Sequence, residues 1–148
     1  MIFIPSGSFN LIIDVTEAIS SLKKIYDYLE FGGVLLFEVI TVSWKQGELN
    51  KWSANVWYHN NDKFIISNFL TLPDKDNIRH SIGKYELVES NKILKTEVED
   101  FKVRMYDLKN LLTILKEVGF SEIKLHKTFD IDKSPDENDE VVIYECKK

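Results

Sequence analysis

The chain has 148 residues, a formal net charge of −5, and 44% hydrophobic against 29% charged residues. That length suits one domain with a real core, and the balance is that of an ordinary globular protein. Lys and Arg are scattered and form no stripe, which with the negative charge argues against nucleic acid as a main partner. No apolar run approaches the ~20 residues of a membrane span. Met1 leads into an apolar run with no basic segment before it, so no secretory leader is expected. Cys146 is the single cysteine, which excludes an internal disulfide and points to a reducing, cytoplasmic setting.

Met1–Ile4 reads as a strand, ended by Pro5, which cannot donate to a ladder. Ser6-Gly7-Ser8 follows. The tetrapeptide Pro5–Ser8 has two readings: ordinary turn chemistry, or an open loop whose backbone N–H groups face a ligand. A helix is predicted over 15–29, capped by Asp14 or Thr16, with Ala18, Ile19, Leu22, Ile25, Tyr26 and Leu29 on its apolar face. Gly32-Gly33 ends it. Val34–Thr41 is apolar without alternation, as in a strand buried on both faces. Glu38 interrupts that run. It reads either as a carboxylate turned to solvent or as a group lining a cleft at the carboxyl end of the strand. Strand, helix and strand at this spacing predict a right-handed crossover joining parallel strands.

After a loop over 42–50, the pattern changes to an antiparallel meander. Strands are predicted at Trp52–His59, Lys63–Leu72, Ile78–Val88 and Ile93–Met105, separated by Asn/Asp-rich turns, with a bulge at Gly83. A second helix over 107–118 has Asp107 as its cap and Gly119 as its stop. A strand over 120–129, an acidic loop over 130–140 and a last strand over 141–146 complete the chain.

His59, His80 and His126 lack the spacing of a zinc set, so no metal is expected. No phosphate loop, nucleophile elbow or paired-carboxylate signature occurs. Gly32-Gly33 precedes a strand, whereas a cofactor cradle follows one. His80 beside Arg79 is the best candidate for a substrate contact or base. Trp57, with Trp52 and Tyr58, reads as a sheet-face aromatic or as a stacking platform.

The runs Ile2-Phe3-Ile4-Pro5-Ser6-Gly7-Ser8-Phe9 and Tyr28-Leu29-Glu30-Phe31-Gly32-Gly33-Val34-Leu35-Leu36-Phe37-Glu38 resemble the second half of a class I S-adenosylmethionine-dependent methyltransferase of the small-molecule type. Phe31 stands where that family usually has proline. Tyr106, Leu111, Leu115, Gly119 and Phe120 resemble the family's last helix and the entry to its sixth strand. The resemblance implies an α/β fold: an incomplete Rossmann-like sheet with two helices from residues 1–41 and 106–148, and an antiparallel β-meander insertion over 42–105 of the kind that covers substrate. The last strand would insert antiparallel between the two before it.

By the same resemblance, Pro5, Ser6, Gly7 and Ser8 face the methionine end of S-adenosylmethionine and the substrate; Glu38, Trp57, Arg79 and His80 are the candidate substrate contacts read from the residues themselves. In the family, the glycine-rich cofactor loop and the acidic ribose-binding residue precede the strand at which this chain begins. The expectation is therefore a methyltransferase-like domain, inactive alone, that acts on a small molecule when completed. An alternative is a non-enzymatic binding or oligomerisation module for an apolar ligand or protein. An intact enzyme with a rewired cofactor site ranks below both, because no other glycine-rich loop is visible. The expected partner is a missing N-terminal half or a second copy, since Met1–Ile4 would be an unpaired edge and the face around Leu35 and Phe37 would lack its cover.

Overall fold

The computed structural model describes residues 1–128, 130 and 132–148. In chain order the elements are β1 (Ile2–Ile4), a 3-10 turn (Ser8–Leu11), α1 (Val15–Tyr28), β2 (Val34–Ile40), β3 (Trp52–Tyr58), β4 (Lys63–Thr71), β5 (Ile78–Glu89), β6 (Lys92–Arg104), α2 (Leu108–Val118), β7 (Glu122–Lys127) and β8 (Val141–Lys147). They divide into two units, Met1–Lys45 with Val103–Lys148, and Gln46–Lys102.

The helices of the first unit start on their predicted caps. The Asp14 carboxylate accepts from the Glu17 N–H at 2.9 Å, and Asp107 accepts from the N–H groups of Lys109 and Asn110. Each satisfies donors that the first turn leaves orphaned. Gly119, at φ 122, ends α2 in a conformation a side chain rarely adopts.

The sheet of this unit has the order β1-β2-β8-β7. β1 runs parallel to β2, in register from Ile2↔Leu35 to Ile4↔Phe37. β8 runs antiparallel to both of its neighbours. The parallel step requires a crossover, which α1 supplies, and the antiparallel last strand then fits between its predecessors as expected.

Both helices pack on one face. Leu22 of α1 and Leu111 and Leu115 of α2 join Leu35, Phe37, Val39, Val142 and Tyr144 in a core where each is fully buried. Each such side chain contributes about 1.5–3 kcal/mol by leaving water. The sequence expectation erred on the parity of β2. Leu35 and Phe37 lie under the helices, and the face turned away from them carries Val34, Leu36 and Glu38. A strand with no alternation gives no sign of which parity meets the helices.

The second unit is a meander with the order β3-β4-β5-β6. Two of its three hairpins turn on Asp76-Asn77 and Ser90-Asn91, all at φ between 51° and 60°, the pair of left-handed residues that matches strand twist. The expected bulge at Gly83 is absent from the β4–β5 ladder, whose register runs unbroken through Phe69↔Gly83. Glycine stands there for a different reason. A Cβ would meet the Tyr85 ring at 3.1 Å and the Phe69 ring at 3.3 Å, and those rings stack edge to face across the vacancy.

Phe120 precedes β7 instead of opening it. It is buried against Tyr26 with ring centroids 5.2 Å apart. The expected strand end at Phe129, and Ile131 in the expected acidic loop, lie outside the described residues. No helix among the described residues is long and apolar enough to cross a membrane.

Candidate functional site

Ligands of open α/β sheets bind beyond the carboxyl ends of the strands. In the first unit that edge is made by the segment after β1 and the end of β2. Pro5 stops the ladder, and Ser6 and Gly7 then take left-handed conformations at φ 56 and 64. The chain closes on itself: the Ser8 N–H and the Ser8 hydroxyl both donate to the Pro5 carbonyl, at 3.1 and 2.7 Å. Gly7 has no room for a side chain, since a Cβ would lie 2.9 Å from the side chain of Ile40. A non-glycine residue held at positive φ, as Ser6 is, stores local strain of the sort found at binding loops.

Two residues singled out separately in the sequence meet here. The Ser6 N–H donates to the Glu38 carboxylate at 2.7 Å. The pairing Ile4↔Phe37 explains why, because it brings the first residues beyond β1 alongside Glu38 on the face turned away from the helices. The loop is thus both a closed turn and a support for a carboxylate. Its Ser6 and Ser8 N–H donors are engaged within the protein, and Glu38 repels a second anion. The pair suits a cationic group, an ammonium or a sulfonium, and not a ligand carboxylate.

Asn10 fixes the same corner. Its side chain is fully buried. Its amide donates to the carbonyls of Ile40 (2.9 Å) and Arg104 (2.6 Å), and its oxygen accepts from the Ile40 N–H (3.0 Å). β1 is too short to pair with the end of β2, and Asn10 takes the place of the missing strand. Sequence reasoning passed over Asn10, although it is the one polar residue in the run Phe9–Ile13.

Trp57, Arg79 and His80 belong to the second unit and do not form one constellation. Trp57 is 66% exposed, donates its indole N–H to the Ser67 hydroxyl at 3.1 Å, and with Phe64 and Leu87 lines a cavity of about 380 Å3. Arg79 is buried and grips Asp74 through two bonds, at 3.2 and 2.9 Å. Trp57 is in register with Ile65 and so with Leu87, eight residues from Arg79 along β5, a separation of about 26 Å at 3.3 Å per residue. His80 projects from the opposite face to Arg79. It contacts Asp100, which also accepts from the Lys102 ammonium at 2.7 Å. Lys102 first, then His80, holds the Asp100 carboxyl below its ordinary range.

A half-sheet with parallel β1 and β2, an antiparallel last strand inserted before the edge and two helices on one face, with a meander inserted in the sequence between β2 and α2, has the architecture of the methyltransferase Rossmann-like fold. No family model and no curated protein matches the sequence. Among solved structures, an S-adenosylmethionine-dependent methyltransferase from Clostridium acetobutylicum matches with a TM-score of 0.76 at 18% identity, over 98% of this chain and 56% of that one. The CcbJ methyltransferase from Streptomyces caelestis matches at 0.67 and 10% identity, over 97% and 58%. CalS10, an amino pentose methyltransferase from Micromonospora echinaspora whose structure holds S-adenosylmethionine, matches at 0.69 and 9% identity, over 98% and 57%. The chain shares their fold and spans a little over half of their length.

Proposed function

We propose that this chain is one half of an S-adenosylmethionine-dependent small-molecule methyltransferase, inactive by itself and completed by a partner segment that carries the glycine-rich cofactor loop. The observation that carries this reading is the match of nearly the whole chain to 56–58% of three methyltransferases. The residues present fit one end of the cofactor and not the whole of it. Ser6 and Glu38 hold a carboxylate where a sulfonium or ammonium is favoured, and Pro5, Gly7 and Ser8 shape that wall. When bound, the cofactor supplies an electrophilic methyl group. This chain's part is to orient the reacting groups and exclude water, and Trp57, Arg79 and His80 of the meander are separate candidate substrate contacts.

The completing half docks on the outer edge of β1 and on the unit-1 face that carries Leu36 and Glu38; a second copy of this chain would cover the same surface without supplying the loop. The setting is cytoplasmic. Titration calorimetry with S-adenosylmethionine tests the reading, with the mass followed by sedimentation. The chain alone binds nothing, and adding a segment with the glycine-rich loop restores micromolar binding. Micromolar binding by the isolated chain overturns the claim of incompleteness.

One observation favours the second reading, a module for an apolar ligand. Trp52, Trp57 and Tyr58 are half to three-quarters exposed around a strand with no buried residue. An apolar molecule retained in native mass spectra, with no cofactor binding under any complementation, would select it.

A further inference from the structure

A cavity of about 540 Å3 lies in the first unit, between the end of β2, the first turn of α2 and residues 135–137. It is separate from the Ser6–Glu38 corner, and its size is that of a small-molecule site, roughly 300–1,000 Å3. Leu112, Leu125 and Pro135 give it an apolar wall, and Asp107, Lys109, Asp136 and Glu137 a charged rim.

Tyr106 also lines it, and Tyr106 is the unusual member. The residue is only 6% exposed, and its hydroxyl has no hydrogen-bond partner among the described residues. Buried hydroxyls are nearly always paired, so one without a partner beside a cavity marks a contact yet to be made. Burial pushes the phenol up to about 12, against the pull of the Arg104 guanidinium, and the neutral hydroxyl can accept a hydrogen bond from a cation.

The charges select the ligand. Three carboxylates face one ammonium, and that ammonium, on Lys109, is already 2.8 Å from Glu137. The start of α2 is closed to anions, because Asp107 takes the N–H groups of Lys109 and Asn110. The acidic wall is also fastened: the Ser43 and Thr41 hydroxyls donate to the carbonyls of Glu137 and Asp139.

We propose that this cavity binds a small organic cation, a protonated amine on an apolar body, with the ammonium toward the Tyr106 hydroxyl and the Asp136 and Glu137 carboxylates and the body against Leu112 and Leu125. The site stands whether or not the chain is half of a transferase.

The test is a nitrogen-15 amide titration with 2-phenylethylamine, against 2-phenylethanol and 3-phenylpropionate of similar shape. The amine moves the amides of Val42, Ser43 and residues 108–112. The alcohol binds about tenfold more weakly, and the acid does not bind. Tyr106→Phe raises the Kd for the amine about fivefold, the worth of one hydrogen bond, and leaves Tm unchanged or higher because an unpaired hydroxyl is gone. Glu137→Gln, at an exposed position, weakens the amine and not the alcohol. Equal binding of the three probes, shifts confined to other surfaces, or no shift at millimolar amine overturns the proposal. A lowered Tm with an unchanged Kd in Tyr106→Phe does the same, by assigning the hydroxyl to folding.

Discussion

Replacing Asn10 by alanine should unfold the first unit at much lower denaturant. The side chain holds the Ile40 N–H, the Ile40 carbonyl and the Arg104 carbonyl at 2.6–3.0 Å, beside the Tyr106 N–H that also donates to the Ile40 carbonyl. Truncation leaves the Ile40 N–H without that partner and takes one of the bonds at each carbonyl, while the Ile40 carbonyl keeps the Tyr106 N–H at 3.1 Å. A lost partner costs about 1–3 kcal/mol where water is excluded and less where a second bond remains, so the sum is about 2–3 kcal/mol. Domains of this size are stable by only about 5–15 kcal/mol. Urea titration followed by far-ultraviolet circular dichroism reads the change as a fall in midpoint at constant slope. Asn10→Asp sharpens the test. It keeps the acceptor for Ile40 but sets a carboxylate oxygen against two carbonyls, which raises its folded-state pKa. The damage is then full above that raised value and eases as acid restores a proton that can be donated. A cost below about 1 kcal/mol for the alanine variant, or no acid rescue of the aspartate, would refute the reasoning.

Gly7→Ala combines a left-handed backbone with a Cβ 2.9 Å from Ile40, and should cost about 2 kcal/mol or more. Gly32→Ala, at φ 76 with nothing within 4 Å, should cost only about 1 kcal/mol, and equal losses in denaturant titration would contradict the steric account. The Lys148 ammonium donates to the carbonyls of Tyr26 (2.7 Å) and Leu29 (2.8 Å) at the end of α1 and lies 4.6 Å from the centre of the Tyr26 ring. Lys148→Met should cost about 1–2 kcal/mol and speed hydrogen exchange in the last turn of α1; unchanged protection there counts against the cap. The Asp139 carboxyl is held below its ordinary value by the Lys127 ammonium at 2.9 Å and then by the Asp136 N–H. A depressed folded-state value means stabilisation that is present above about pH 4 and fades as pH falls through that lower value. Lys127→Met should therefore lose stability at neutral pH and converge on the parent in acid; a pH-independent gap between them would remove the ion pair as the cause.

Much of the architecture was legible because turns and caps are local chemistry. Asp14 and Asp107 announced the helices, and the Asn/Asp pairs announced the hairpins. What depends on parity or register was not legible. Val34-Leu35-Leu36-Phe37 reads the same from either side, so the covered face was assigned to the wrong residues. Gly83 looked like a bulge because its cause, two rings meeting over it, lies partly on another strand. At the candidate site, Ser6 and Glu38 were named from the sequence, and only the β1–β2 register joins them. Arg79 and His80, adjacent in sequence, point to opposite faces, and Trp57 is far from Arg79 along β5. Asn10 and the Tyr106 cavity rest on burial, which periodicity does not report.

The order of the strands also bears on how the protein is made. β8, which pairs Val34 with Lys147 on one side and Glu122 with Lys147 on the other, is an inner strand of its sheet although it comes last in the chain. A nascent chain that has reached residue 102 has every residue of the second unit, whose ladders between β3, β4 and β5 join near neighbours in sequence. Until residues 141–147 emerge, β2 lacks the antiparallel neighbour on its inner edge. Pairings at such separation form slowly and leave apolar surface open in the interval. During synthesis, the sheet of the first unit is therefore completed after all residues of the meander are present.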